Sequence, residues 1–434
     1  MDKTNDIVTN EELAAAFGGG KPLASDSQSR DSNNSKQVDK HSKKSGTKHQ
    51  WDRLTICFFA IAGLCFVGGV TMLLFSLLAP PEVINSVQYP DLAKKDNKDV
   101  VYSDLTGEVL SDVSLKTSPA YCIQTPNGTD GARPHAGLDQ AGVIFEAIAE
   151  SGITRFAAIY QNPTASIIGP IRSLRIYYLQ WDTPFDCTIV HAGGSADALA
   201  AVSNGYKDLT EDYSYMYRGT YASRRWNNLF TSAAALKRYS DEHGYTTSNI
   251  KGFTRMTPEE SQHTRVDALT EGELDITKPS KTDTSALKPT VSSVSFRLGG
   301  WGDYNVHYEY DANSNKYFRS YESGDEHSAY TCPESDNDGS NPEDACTLTQ
   351  MAPSVVIAMM VSERRASDNY HEDIDVIGSG DAYIFQNGIA LRGTWKKTSA
   401  DSQIQFTDSE GKEIRLAPGQ TFITAVPNYG SVDF

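Results

Sequence analysis

Residues 143–161, VIFEAIAESGITRFAAIYQ, decide the fold class. Val143 to Ala149 and Arg155 to Gln161 are apolar runs of strand length, and Glu150-Ser151-Gly152 between them supplies turn residues. Further along, Thr188 to Ala192 reads as a short buried strand. Leu174 to Trp181, Ala196 to Ser203 and Ser232 to His243 read as helices, the last closed by Gly244. Strands interleaved with helices predict an α/β domain over residues 101–252. After a polar linker, residues 253–289, the pattern becomes strand after strand: Val294 to Leu298, Asn305 to Asp311, Lys316 to Tyr321 and Ser354 to Val361 come first. Ala382 to Gln386, Ile389 to Trp395, Ile404 to Thr407, Glu413 to Leu416 and Phe422 to Val426 follow. Asn387-Gly388 and Ser409-Glu410-Gly411-Lys412 read as hairpin turns. The expected class is α+β, an α/β domain followed by a β-rich domain at residues 290–434.

Upstream, Leu54 to Ala79 (LTICFFAIAGLCFVGGVTMLLFSLLA) runs for 26 residues without Asp, Glu, Lys or Arg. As a helix it would measure about 39 Å, enough to cross a hydrocarbon core of roughly 30 Å with some tilt. Residues 1–53 read as a disordered tail and residues 80–100 as a spacer. Six Lys or Arg lie between Lys36 and Arg53, whereas Pro80, Pro81 and Glu82 follow the span with no cation before Lys94. The positive-inside rule then places the N-terminus in the cytoplasm and the rest outside, behind a single-pass signal anchor. Cys65 follows Leu64, not the small residue that a lipidation site requires.

The formal charge of −17 divides at this segment. Residues 1–53 hold 9 cations and 8 anions, and the 355 residues after the span hold 30 Lys and Arg against 48 Asp and Glu, a net −18. A body this acidic is excluded as a general nucleic-acid binder, which needs surplus cations for phosphate. Four cysteines lie beyond the span. Cys332 and Cys346 close a short polar loop and are the expected disulfide, with about 3 kcal/mol from restricting the unfolded chain. Cys122 and Cys187 sit in apolar runs where a buried thiol fits as well as a bridge.

Chemistry-bearing residues concentrate between Gly131 and Ser195. At His191-Ala192-Gly193-Gly194-Ser195 a strand ends, two glycines allow a tight turn, and Ser195 is placed to cap the next helix, an arrangement that presents N–H groups to an anion. Arg172 and Arg175, three apart at an expected helix start, share a face there, and a guanidinium fork grips carboxylate or phosphate at two points. The competing reading pairs the arginines with Glu146 and Glu150 in a structural ion network. Those two glutamates, four apart on a strand, would face the same side, as carboxylates for glycan cleavage can. His191 fits a general base, a ligand or a core histidine, so the catalytic candidates are Glu146, Glu150 and His191. Glu334 to Gly339 alternates oxygen donors like a calcium loop, but Ala345 stands where the bidentate Glu belongs, and a solvated acidic insertion is expected. The histidines show neither H-x-x-x-H nor H-E-x-x-H spacing, and neither metal nor cofactor is expected.

At these motifs the chain resembles the YerB-like family of bacterial envelope lipoproteins. The likeness runs through Leu105-Thr106-Gly107, Arg133-Pro134 with Gly137-Leu138, Glu146, Gly152-Ile153-Thr154-Arg155-Phe156, and Gly169-Pro170 with Arg172-Ser173 and Arg175. It continues at His191 with Gly193-Gly194-Ser195, at Asn228-Leu229-Phe230-Thr231, and at Gly380, Gly388, Trp395, Gly411 and Pro418-Gly419-Gln420. The resemblance implies a two-part ectodomain of unestablished function at the outer face of a bacterial membrane. The chain departs from that pattern where His135 replaces the usual Gln, where Asn227 stands at a common His, and where an uncharged helix replaces the lipobox. The functional expectation is an anion-binding site for peptidoglycan or a phosphate polymer, built from Arg155, Arg172, Arg175, His191, Gly193, Gly194, Ser195 and Asn228. The alternatives are a cell-wall hydrolase or lyase and a non-catalytic protein-interaction scaffold.

Overall fold

The computed structural model describes residues 83–84, 100–219, 227–269, 291–300, 302–333 and 346–434. The expected tail, the Leu54 to Ala79 span and the acidic loop from Glu334 lie outside these residues, as does most of the spacer. Among the described residues no helix is long and apolar enough to cross a membrane.

The chain forms β1 (Ala120–Pro126), β2 (Val143–Glu150), β3 (Ile153–Gln161), β4 (Thr188–His191) and β5 (Asp208–Thr210), with α1 (Ile176–Asp182), α2 (Ala196–Val202) and α3 (Ala233–His243) among and after them. Helix α4 (Pro258–Leu269) occupies part of the stretch expected to be linker. Then come β6 (Ser293–Arg297), β7 (Val306–Asp311), β8 (Lys316–Tyr321), β9 (Val355–Val361), β10 (Gly378–Gln386), β11 (Ile389–Lys397), β12 (Thr421–Pro427) and β13 (Ser431–Asp433). The quoted stretch folds as read. Its strands pair antiparallel, Val143 opposite Ile159 and Phe145 opposite Ala157. Ser151 and Gly152 take φ of 51° and 80°, the two positive values that a tight hairpin turn of matching twist requires.

An eleven-stranded mixed sheet carries the fold, in the order Val83–Ile84, β11, β10, β9, β12, β2, β3, β1, β4, β5, with Gln405–Thr407 against β11. At its centre β12 lies parallel to β2, with Phe422 beside Ile144 and Thr424 beside Glu146. The α/β stretch and the β-rich stretch therefore share one hydrogen-bonded sheet. Both faces are covered, which is why β2 is buried along its whole length instead of alternating. On one face α1 seals the sheet: Trp181 stacks on Phe145 at 4.9 Å, and the Tyr177 hydroxyl donates to the Ile148 carbonyl at 2.9 Å. On the other face the antiparallel sheet β8-β7-β6-β13 packs Phe296, Tyr308, Tyr317 and Tyr321 around Ile148, Val356 and Phe385.

Several expectations change. Glu413 to Leu416 forms only single bridges, Thr407 to Glu413 and Arg255 to Leu416, and not a strand. Cys332–Cys346 is bonded, and so is Cys122–Cys187, which settles the open choice between thiol and bridge. The second bridge ties β1 to the start of β4, neighbours in the sheet, with Cα atoms 5.7 Å apart.

Candidate functional site

The site is built where β2 and β3 meet α1. Arg172 to Leu174 run extended and pinned on both sides. The Arg172 N–H donates to the Gln124 carbonyl at 2.7 Å, the Ala192 N–H to the Arg172 carbonyl at 3.0 Å, and the Leu174 N–H to the Gly193 carbonyl at 2.9 Å. Arg175 is the N-cap of α1 with β-region backbone, and the helix begins at Ile176. The expected helical spacing of Arg172 and Arg175 is thus incorrect, because the segment's backbone groups are taken by flanking strands. A carboxylate, not a helix face, relates the two side chains: it bonds Arg175 and acts on Arg172 only through space.

That carboxylate is Glu150. It accepts from Arg155 on Oε1 and from Arg175 on Oε2, the latter at 2.9 Å. One further donor of each turns to backbone, Arg155 Nη1 to the Ser173 carbonyl at 2.8 Å and Arg175 Nη1 to the Leu174 carbonyl at 3.0 Å, while Arg175 Nε is buried without a partner among the described residues. Burial pushes the Arg155 guanidinium below the ordinary arginine value, and the like charges of Arg175 and Arg172 add to that, while Glu150 opposes it. Arg172 is half-buried and is also lowered by burial, with Glu150 and Asp130 holding its charge. Among the described residues its guanidinium has no hydrogen bond or ion pair, whereas Asn227 donates to Asp130 at 3.1 Å. Arg155 and Arg175 thus pair with Glu150, Arg172 stands near enough to feel its charge, and Asp130 lies at the rim, three cations against two carboxylates inside an acidic body.

The other candidates scatter. A bulge between Ile148 and Glu150 shifts the register of β2 by one residue. Glu150 joins Arg155 on the α1 face, and Glu146 accepts from Thr154 at 3.0 Å on the opposite face. The two glutamates do not form the same-side pair expected from strand alternation, because one extra residue reverses it. His191 is buried with both ring nitrogens engaged, Nδ1 at 2.7 Å from the Gly193 carbonyl and Nε2 at 2.9 Å from Asp208, so neither is free to take a proton from a substrate. Gly193 turns at φ 67°, and Ser195 is the N-cap of α2 without a side-chain cap bond, its N–H being spent on the Leu174 carbonyl at 3.1 Å. Asn228 lies elsewhere, on the Tyr217–Arg218 and Leu229–Phe230 hairpin, accepting from Arg218 at 2.8 Å. A cavity of about 470 Å³ opens between α1, the Gly194 to Asp197 turn and the hairpin of Glu363–Arg365 with Glu372–Ile374. Its walls include Arg175 but also Asp197, Asp368, Glu372 and Asp373, so the cavity itself disfavours anions; Arg172 lies outside its lining. Among the described residues no group of three His, Cys, Asp or Glu could hold a metal ion.

Sequence reading missed a second charged centre. Arg319 and Glu146 form an ion pair at 2.8 Å with both side chains fully buried. Arg319 also donates to His327 Nδ1, His327 Nε2 lies 3.3 Å from His135 Nδ1, and His135 Nε2 lies 2.8 Å from the Pro126 carbonyl. Read in this direction each ring donates once and accepts once, so both are neutral. Burial would depress the Arg319 guanidinium, but Glu146 holds it above the ordinary value. Burial pushes His135 down to about 3 and His327 well below its usual value, with Arg319 and Arg133 reinforcing both shifts. The unfolded chain therefore binds protons below about pH 6.5 that the folded chain refuses, and stability falls as pH drops from there toward 3. His135 is expected to cost about 1.4 kcal/mol per pH unit in that window, and His327 acts in the same direction. Thermal midpoints between pH 7 and 4 check this, and His135→Gln should flatten the acid limb.

Residues 105–246 match the N-terminal domain, and residues 296–423 the C-terminal domain, of DUF3048, described as a protein of unknown function. The chain belongs to this family. The family boundaries enclose both charged centres, with Glu146, Arg155, Arg172 and Arg175 in the first part and Arg319 in the second. The chain is 27% identical over 379 residues to "Putative lipoprotein YerB" of Bacillus subtilis (strain 168), covering 86% of this chain and 96% of that protein. The crystal structure of the YerB protein from Bacillus subtilis superposes with a TM-score of 0.58 at 22% identity, covering 77% of this chain and all of that one, a likeness of fold.

Proposed function

We propose that the chain is a membrane-attached, extracytoplasmic protein that binds an anionic envelope component through Arg172. The observation that carries the reading is the Arg172 guanidinium, half-buried beside Arg155, Arg175 and Glu150 and unpaired among the described residues. A buried-edge cation in a net-positive cluster is completed by a ligand oxygen, and carboxylate and phosphate both match the guanidinium fork. The outward location rests on the lipoprotein name of the relative, on two disulfides, which persist in oxidising compartments, and on the uncharged run at Leu54 to Ala79 as anchor. In this reading residues 1–53 are the cytoplasmic tail and 80–100 the spacer, while 101–252 and 290–434 are two halves of one external body. A glycan-cleaving role has less support, since Glu146 and Glu150 are each bound by arginine on opposite faces.

The test is equilibrium binding of the full chain to muropeptides and, separately, to a phosphate polymer. Arg172→Ala is expected to weaken the bound class about tenfold or more, and to leave the thermal midpoint unchanged because no partner is lost. Failure of both ligand classes to bind, or unchanged affinity in the variant, contradicts the proposal.

A further inference from the structure

On the other side of the Glu363–Arg365 hairpin lies a larger cavity of about 660 Å³, bounded by the Ser151-Gly152 turn, Gly299-Gly300 and Tyr429. The glycines leave one wall bare backbone; a Cβ on Gly300 would sit 3.2 Å from the Gly152 Cα. The opposite wall is acidic. Glu363 is only 7% exposed and Glu372 only 8%. The Tyr429 hydroxyl donates to Glu363 Oε1 at 2.6 Å, while Glu363 Oε2 is buried with no hydrogen-bond partner among the described residues. The nearby cations are committed, Arg365 to Glu372 at 3.1 Å and Arg364 to Asp375 at 3.0 Å. Glu363 is therefore the uncompensated carboxyl of this cavity, and an orphaned buried acceptor is costly unless something donates to it.

We propose that this cavity is a subsite for a ligand bearing a protonated primary amine, held by Glu363 with Glu372 as second acceptor. With Oε1 engaged by Tyr429, Glu363 offers one oxygen, which suits the point charge of an ammonium and not the two-point fork of a guanidinium. Calcium calls for six or more oxygens, and the described residues offer no metal-binding group of three. Glu372 lines both this cavity and the one beside Arg175, but Glu363 lines this one alone, so the Glu363 variant tests the subsite separately from Arg172.

Calorimetric titration of the full chain with glycinamide, using N-acetylglycinamide as the uncharged control, tests the proposal. Glycinamide should bind saturably and the acetylated probe should not. Glu363→Gln, which keeps an acceptor for Tyr429, should weaken glycinamide binding about tenfold or more. Burial pushes the Glu363 carboxyl up to about 7, with Glu372 adding and Tyr429 and Arg365 opposing. Amine binding at pH 7 should therefore expel roughly half a proton, read as different heats in amine-free buffers of low and high ionisation enthalpy. Equal binding of the two probes, no saturable binding, or wild-type affinity in Glu363→Gln overturns the proposal. Should that variant not fold, the comparison of the two probes on the wild type decides alone, and equal binding overturns it.

Discussion

Arg319→Ala should be among the most destabilising single changes in this protein, costing about 3–5 kcal/mol, because it strands the fully buried Glu146 carboxylate. The cost arises on both halves of the chain. Glu146 belongs to β2 and Arg319 to β8, and Thr424 of β12 also donates to Glu146 at 3.3 Å. The arginine lies over the Phe422 ring at 4.6 Å and the Tyr321 ring at 5.1 Å, so truncation also removes contacts of the guanidinium with aromatic faces. Denaturant unfolding of the full chain checks the value. A double change, Arg319→Met with Glu146→Leu, should recover much of it, since an apolar pair replaces an ion pair whose desolvation cost is already large. If Arg319→Ala costs under about 1 kcal/mol, the pair is not the buried network described.

Replacing Cys122 and Cys187 together by Ala should cost about 4 kcal/mol, more than the roughly 3 kcal/mol for Cys332 and Cys346, because closure entropy grows with the loop. The enclosed separations are 65 and 14 residues. The longer bridge also joins β1 to the segment that leads into β4, so its loss loosens the strands that pin Arg172. Denaturant midpoints of the two double variants, compared under oxidising and reducing conditions, check the order. Equal effects would show that native-state strain or residual unfolded structure outweighs loop length here.

The central hairpin was legible because its apolar runs are long, end at Ser151-Gly152, and need no distant partner to be recognised. β1 was legible only as an apolar run around Cys122, without bounds, because AYCIQTP ends on Pro126 and mixes Gln and Thr into its apolar residues. The arginine cluster was legible as residues but not as geometry. Alternation of side chains assumes an uninterrupted strand, and the bulge before Glu150 separates it from Glu146; the helical pattern of Leu174 to Trp181 runs back over Leu174, whose backbone groups are bonded to the turn after β4. Arg319 had a signal that went unread. In Lys316–Tyr321 the buried positions are Tyr317, Arg319 and Tyr321, so an arginine stands on the apolar parity of a strand and must find a carboxylate. Which carboxylate could not be read, since Glu146 lies 173 residues away.

The place where an anion binds tests the central claim most directly. Crystals of the protein soaked in selenate, read by anomalous scattering, should show a peak in hydrogen-bond contact with the Arg172 guanidinium beside Glu150 and Arg175. Selenate bound only elsewhere, or Arg172 folded onto Asp130 with no anion beside it, would contradict the account.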